Sequence, residues 1–275
     1  MSELPGRAEA PLGRRLVEVV AVRELGVYRV ITVADPDAPA PAPGQFAMLA
    51  AGERWGGGED ERPFLARAFS VARHEDGRSQ FLLEDVGPGT RRLCELGVGE
   101  RLWSAGPFGR PFTAPEPGAR AILVGGGVGI APLAILQDEL EAAGIETIVL
   151  LGFRDGARVP GGELLRGAQI ATDDGSEGHH GLVTELLDRE LEGGGSATVH
   201  ACGPAGMLEG VRLLCEKGEV PAQLALESGM ACGYGACFGC VIPVRGGGYL
   251  RVCVDGPVVD AARLERVEEH AGAHA

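Results

Sequence analysis

The chain has 275 residues, enough for two or three small domains with cores of their own. Its 45 glycines, 18 prolines and only 5% aromatic residues point to a loop-rich β and α/β protein and away from a helical bundle. A formal net charge of −14 argues against nucleic acid or an anionic membrane as partner, and no run of 18 or more apolar residues is present to span a bilayer.

Residues 1–14 lack the apolar stretch of a secretory signal and are expected to be a flexible start, with the cytoplasm as the address. Over 15–113 the pattern is short and alternating, as in Leu16–Val20, Val27–Val33 and Gln80–Val86, which predicts a small antiparallel β-barrel. Asp35–Pro43 and Glu53–Pro63 read as surface loops. Within the barrel, Arg67-Ala68-Phe69-Ser70 pairs a phosphate-clamping arginine with a ring for stacking, although the tetrapeptide by itself is common. Gly87-Pro88-Gly89-Thr90 is either a backbone phosphate cradle or a hairpin turn. Trp103 fits barrel core or a place beside a bound ring system.

Residues 113–118 read as a linker, and over 119–222 short apolar strands alternate with helices, which predicts a parallel, doubly wound sheet. Arg120–Val124 is its first strand, Gly125-Gly126-Gly127-Val128-Gly129 a tight turn, and Pro132 the start of a helix with Leu133, Leu136 and Leu140 on one face. A glycine turn into a helix N-terminus suits a pyrophosphate, but the spelling is not G-x-G-x-x-G and a plain turn competes. Further strands are expected at Thr147–Gly152 and Ala197–Ala201, and helices at Gly181–Leu191 and Gly206–Lys217. Cys202-Gly203-Pro204 follows the last strand, at the sheet end where ligands bind. His179-His180 reads as a solvated loop, Gln137–Glu141 as a solvated acidic face, and Cys94 and Cys215 as ordinary buried or half-buried thiols.

A third small unit is expected over 224–275, with a frayed end at 271–275. Cys232, Cys237, Cys240 and Cys253 form a C-x4-C-x2-C-x12-C array, the plant-type [2Fe–2S] spacing with its distant fourth cysteine. Glycines at 229, 233, 235 and 239 would let the backbone turn left-handed and bring N–H groups to the sulfurs. Zinc would favour two C-x2-C pairs where only one is present, and disulfides would suit a secreted chain.

The order of these parts resembles the electron-transfer subunits of class 1B dihydroorotate dehydrogenases, a branch of the ferredoxin-reductase superfamily. The resemblance covers about Arg15 to Pro257 and is most specific in Glu227–Cys237 and Val252–Pro257. It implies FAD on the barrel: Arg67, Ala68, Phe69 and Ser70 as its motif, with Arg67 at the pyrophosphate and Ser70 near the isoalloxazine. Leu82, Leu83 and Glu84 would lie along the FAD, and Gly89 and Thr90 would meet its phosphate. NAD, with NADP not excluded, would sit at Gly125, Gly126, Gly127, Gly129 and Pro132, with Cys202, Gly203 and Pro204 beside the nicotinamide. The four cysteines would be the cluster ligands, and no side chain would act as a strong acid or base. Small subunits of NADPH–ferredoxin transhydrogenases and sulfide dehydrogenases share the layout, but some carry an aspartate ligand where all four positions here are cysteine. The implied partner is an FMN-containing catalytic subunit in a heterotetramer, serving pyrimidine biosynthesis. The rival readings are a stand-alone NAD(P)H:ferredoxin-type reductase and a non-catalytic [2Fe–2S] redox-sensing module.

Overall fold

The structure is a computed structural model and describes residues 13–56 and 62–268. Most of the expected flexible start, part of the Glu53–Pro63 loop and the expected frayed tail lie outside the described residues. Strands β1 (Arg15–Leu25), β2 (Tyr28–Ala34), β3 (Phe46–Ala51), β4 (Arg67–Glu75) and β5 (Arg78–Glu84), helix α1 (Pro88–Cys94) and strand β6 (Arg101–Phe108) form the first unit. The strands close into an antiparallel barrel in the order β1-β2-β5-β4-β3-β6. Alternation aims Val17, Val19, Ile31, Val33, Phe81 and Leu83 into one packed interior. Trp103 lies between the buried Leu102 and Ser104 on β6, half-buried on the outer wall with the Arg14 guanidinium 5.4 Å from its ring, so it is not barrel core. Residues 87–90, read as a phosphate cradle or a hairpin turn, are the start of α1 and not a hairpin, because Pro88 presets a helical φ at its first position.

Strand β7 (Arg120–Gly126), helix α2 (Ala131–Ala142), strands β8 (Thr147–Phe153), β9 (Gln169–Thr172) and β10 (His179–His180) and helix α3 (Val183–Glu192) open the second unit. Strand β11 (Ala197–Cys202), helix α4 (Ala205–Gly218) and strand β12 (Ala222–Ala225) continue it. The sheet order is β10-β9-β8-β7-β11-β12-β15, with β15 being Val258–Asp260 from the C-terminal segment. Pairings from β10 through β12 are parallel, while β15 adds antiparallel at the edge. Helix α2 covers one face; α3 and α4 cover the other, so the sheet is doubly wound. His179-His180 is therefore an edge strand and not a loop, with His179 Nε2 2.7 Å from Glu185 Oε2.

The C-terminal segment holds a small hairpin, β13 (Val241–Pro243) with β14 (Tyr249–Arg251), and a one-turn helix α5 (Val252–Asp255) before β15. The expected division between 222 and 224 falls inside β12. One apolar core joins Tyr28, Val30 and Leu82 of the barrel to α2 and β8. Another joins Phe46, Met48 and Phe108 to the second sheet, Cys240 and Cys253. The acidic face of α2 is likewise not simply solvated. Gln137 is buried, and Asp138 receives Arg73 of β4 at 3.0 Å and Arg166 at 2.8 Å. Thr113 pins the linker: its N–H donates to Gln223 Oε1 at 2.8 Å, and His200 Nε2 lies 2.9 Å from its carbonyl.

Candidate redox cofactor sites

Strand β4 pairs with β3 through Arg67–Ser70 but joins β5 only from Val71 onward. Continuing that register would set Ser70 opposite Leu82 and Ala68 opposite Glu84, yet Leu82–Glu84 pair only on their other edge, with β2. The two segments expected to hold FAD thus flank a parting of the barrel wall. Leu82 and Leu83 are buried in core, so only their backbone edge faces this opening, while Glu84 is taken by Arg158 at 3.0 Å. The Arg67 guanidinium lies across the first turn of α1, where a Cβ on Gly89 would come 2.6 Å from its Nε. Its Nη1 donates to the Leu65 carbonyl at 2.6 Å, and burial lowers its pKa. Thr90 Oγ1 accepts from the N–H groups of Val86 (2.9 Å) and Gly87 (3.0 Å), so its hydroxyl is spent on the helix cap. A guanidinium laid against a helix N-terminus, in a space that only glycine leaves open, fits a pyrophosphate.

At the second sheet, Gly125 and Gly126 end β7, and Gly127–Ile130 make a 3-10 turn that runs into α2, with Pro132 in its first turn. Gly127 is left-handed (φ +55°). Cβ atoms on Gly126 and Gly129 would lie 2.7 Å from Met207 Sδ and 2.5 Å from the Cys202 carbonyl. A Cβ on Gly203 would lie 3.0 Å from the Gly126 nitrogen, so the 125–129 and 202–204 turns rest on each other. Cys202 is buried; that burial, with Glu227 adding to it, pushes its thiol well up and keeps the proton on. A cavity of about 280 Å³ opens beside Gly203 and Pro204, lined by Leu208, Leu226, Glu227 and Ile242.

The cysteine loop has no regular structure over 226–240. Left-handed backbone falls at Gly233 (φ +80°), Gly235 (φ +88°) and Phe238 (φ +57°), and not at Gly229 or Gly239. Instead, Gly239 turns its N–H to Cys237 Sγ at 3.4 Å. Cys240 and Cys253 sulfurs lie 3.2 Å apart, and Cys253 is pushed up to about 12 by burial and by Cys240. Burial raises the Cys232 thiol, but N–H groups of Cys237, Tyr234 and Ala236 and the Cys237 side chain outweigh it and bring it to about 6. Among the described residues no three ligating side chains converge on one ion. The thiols pair as 232 with 237 and 240 with 253, which suits two irons with two thiolates each better than one tetrahedral zinc.

Met48 joins barrel and loop: it sits opposite Ala68 in the β3–β4 register, and a Cβ on Gly233 would be 2.5 Å from its Cγ. The rings of Phe46, Phe108 and Tyr234 extend this seam, with centroids 5.9 and 6.5 Å apart. Sequence reasoning misses Met48 because it lies in the apolar run Phe46–Ala51, which reads only as core.

A parted antiparallel barrel, a glycine-turn α/β sheet and a paired-thiol loop together define a reductase of the ferredoxin-reductase type. The family model for the iron–sulfur cluster binding domain of dihydroorotate dehydrogenase B matches residues 227–265. The dihydroorotate dehydrogenase B (NAD+) electron transfer subunit of Caldanaerobacter subterraneus subsp. tengcongensis is 39% identical over 222 residues, covering 79% of this chain and 85% of that protein. The subunit of Geobacillus thermodenitrificans is 35% identical over 269 residues, covering 92% and 99%. A solved NADH-dependent reduced ferredoxin–NADP oxidoreductase, described for flavin-based electron bifurcation, superposes with a TM-score of 0.79 at 25% identity, over 92% of this chain and 91% of that one. The chain belongs to the family of dihydroorotate dehydrogenase B electron transfer subunits.

Proposed function

We propose that this protein carries electrons from a dihydroorotate-oxidising, FMN-containing catalytic subunit to NAD+, as an oxidoreductase subunit of pyrimidine biosynthesis. The observation that supports it best is the seam at Met48, which sets the FAD motif strand and the cysteine loop on two sides of one residue. When bound, the cluster exchanges single electrons, the nicotinamide takes a hydride, and FAD couples the two.

The chain's own residues position these groups. Arg67 and the α1 N-terminus hold the FAD pyrophosphate, with Gly89 leaving the room and Thr90 fixing the turn. Ala68, Phe69 and Ser70 on β4 and the backbone edge of Leu82–Glu84 on β5 border the ring system, while the Glu84 side chain is held by Arg158. Gly125–Gly129 and Pro132 receive NAD, with Cys202, Gly203 and Pro204 at its nicotinamide end. Cys232, Cys237, Cys240 and Cys253 hold the [2Fe–2S] cluster. The curated relatives are named electron transfer subunits, which supports a separate catalytic subunit carrying the dihydroorotate site, assembled with this chain as a heterotetramer in the cytoplasm. No helix among the described residues is long and apolar enough to cross a membrane.

Anaerobic titration of the purified protein with NADH and then NADPH, followed by visible absorbance and EPR, tests the reading. Flavin bleaching and a reduced-cluster signal are expected. Isolated protein that is colourless, iron-free or loaded with zinc overturns it. Dihydroorotate-dependent NAD+ reduction by the complex, and none by this chain alone, distinguishes it from a stand-alone reductase.

A further inference from the structure

Besides the Arg73–Asp138 pair, the barrel and the nucleotide sheet meet at a small polar cluster beside the barrel opening. Arg158, in the segment between β8 and β9, donates through Nη2 to Glu84 Oε1 of β5 at 3.0 Å and through Nη1 to Asp155. Both Arg158 and Glu84 are about four-fifths buried, with side-chain exposures of 23% and 19%. The same segment is fitted to the β1–β2 hairpin. Val27 N–H donates to the Ala157 carbonyl at 3.3 Å, and the Tyr28 ring fills the space where Gly161 would carry a Cβ, 2.7 Å away. Tyr28 is fully buried, its hydroxyl has no hydrogen-bond partner among the described residues, and it faces Gly127 of the nucleotide turn. Glu84 ends the strand bordering the barrel opening, so the ion pair ties that opening to the Arg158 segment, and a Cβ on Gly161 of that segment would lie 3.3 Å from Ile130 Cδ1 at the end of the nucleotide turn.

We propose that the Glu84–Arg158 pair is a positioning device for hydride transfer, fixing the glycine turn of one unit against the flavin opening of the other. This rests on the reading that FAD occupies the opening and NAD the turn. Apolar packing of Tyr28 on Gly161 already supplies adhesion, so the role of the pair is registration. A partly buried pair with a second carboxylate on the arginine holds one geometry, whereas an exposed pair samples many. Hydride transfer is steep in alignment, and a misplacement of about 1 Å can cost about a hundredfold.

The test is anaerobic stopped-flow reduction of the flavin-loaded full chain by NADH, with flavin content and thermal midpoint measured on each variant. Arg158→Met and Glu84→Gln are expected to lower the limiting reduction rate about tenfold or more. NADH affinity should change less than about twofold, with flavin retained and hydrogen exchange over 155–162 accelerated. Arg158→Lys, which keeps the charge, should recover most of the rate. A limiting rate equal to that of the unmodified protein in Arg158→Met overturns the proposal. So does a loss confined to NADH affinity, which makes Arg158 a nucleotide ligand, or flavin loss in Glu84→Gln, which makes Glu84 a flavin ligand. Failure of the underlying reading looks different: the unmodified protein would then hold no flavin or stay unbleached by NADH.

Discussion

The glycine turn and the cysteine loop prepare for their ligands by opposite means. The turn is packed against its neighbours at Gly126 and Gly129, with Met207, Pro204 and the Cys202 carbonyl where side chains would otherwise be. Its shape is complete without the nucleotide. The loop has almost no regular structure, and its thiols are ordered by a handful of N–H contacts and by one another. With the proposed cluster bound, a loop of this second kind would draw its order from the metal, and ligand binding there would be folding energy. One region is made by its surroundings, and the other would be completed by its proposed ligand.

Removing a ligand thiol should therefore do the greatest damage. Cys237→Ser is expected to abolish the reduced-state EPR signal and raise hydrogen exchange across 229–257, while the flavin spectrum persists. An unchanged signal would remove Cys237 from the ligand set. Gly129→Ala tests the packed region instead: its new Cβ would meet the Cys202 carbonyl at 2.5 Å, which is backbone and cannot swing aside. Overpacking of this kind costs about 1–3 kcal/mol, read as a lower thermal midpoint, and NADH should bleach the flavin far more slowly while the EPR signal stays. If the variant behaves as the unmodified protein, the turn is looser than its packing implies. Arg67→Ala should act on neither region, only on flavin retention. Loss of a charge-assisted bond worth about 1.5–3 kcal/mol weakens FAD binding roughly ten- to a hundredfold, measured by fluorescence on dilution. Full flavin occupancy after the change would count against the barrel as the FAD unit.

The contrast also explains what the sequence made legible. Cysteine spacing, the glycine turn and strand alternation are local patterns, so the cysteine array, the turn at 125–129 and the β1–β6 runs can be picked out in the sequence from short stretches. Met48, Glu84 and Arg158 act across units far apart in the chain, and nothing local distinguishes Met48 from its apolar neighbours. Gln137–Glu141 misled for the same reason, since its partners Arg73 and Arg166 are supplied by β4 and by the segment before β9. Phe238 is a different case. Its left-handed φ, between Cys237 and Cys240, belongs by propensity to glycine, and Arg251 stacked 5.4 Å from its ring helps hold it there.

The smallest expected effect concerns the linker, which belongs to the packed kind of region although its composition suggested a tether. His200 is fully buried under Phe112, and its Nε2 lies 2.9 Å from the Thr113 carbonyl. Burial holds its pKa below the ordinary histidine value, while the Thr113 and Thr198 backbone contacts pull weakly the other way. The unfolded ring titrates near ~6.5, so at lower pH the unfolded chain takes up a proton that the native ring refuses. Stability from this group is therefore full above that pH and is lost as pH falls through the native value. The urea midpoint should decline from about pH 7.5 to about pH 5, and His200→Gln should flatten that slope without touching flavin or cluster spectra. If the slope is the same in the variant, the pH dependence belongs to other groups and the linker is not fastened through His200.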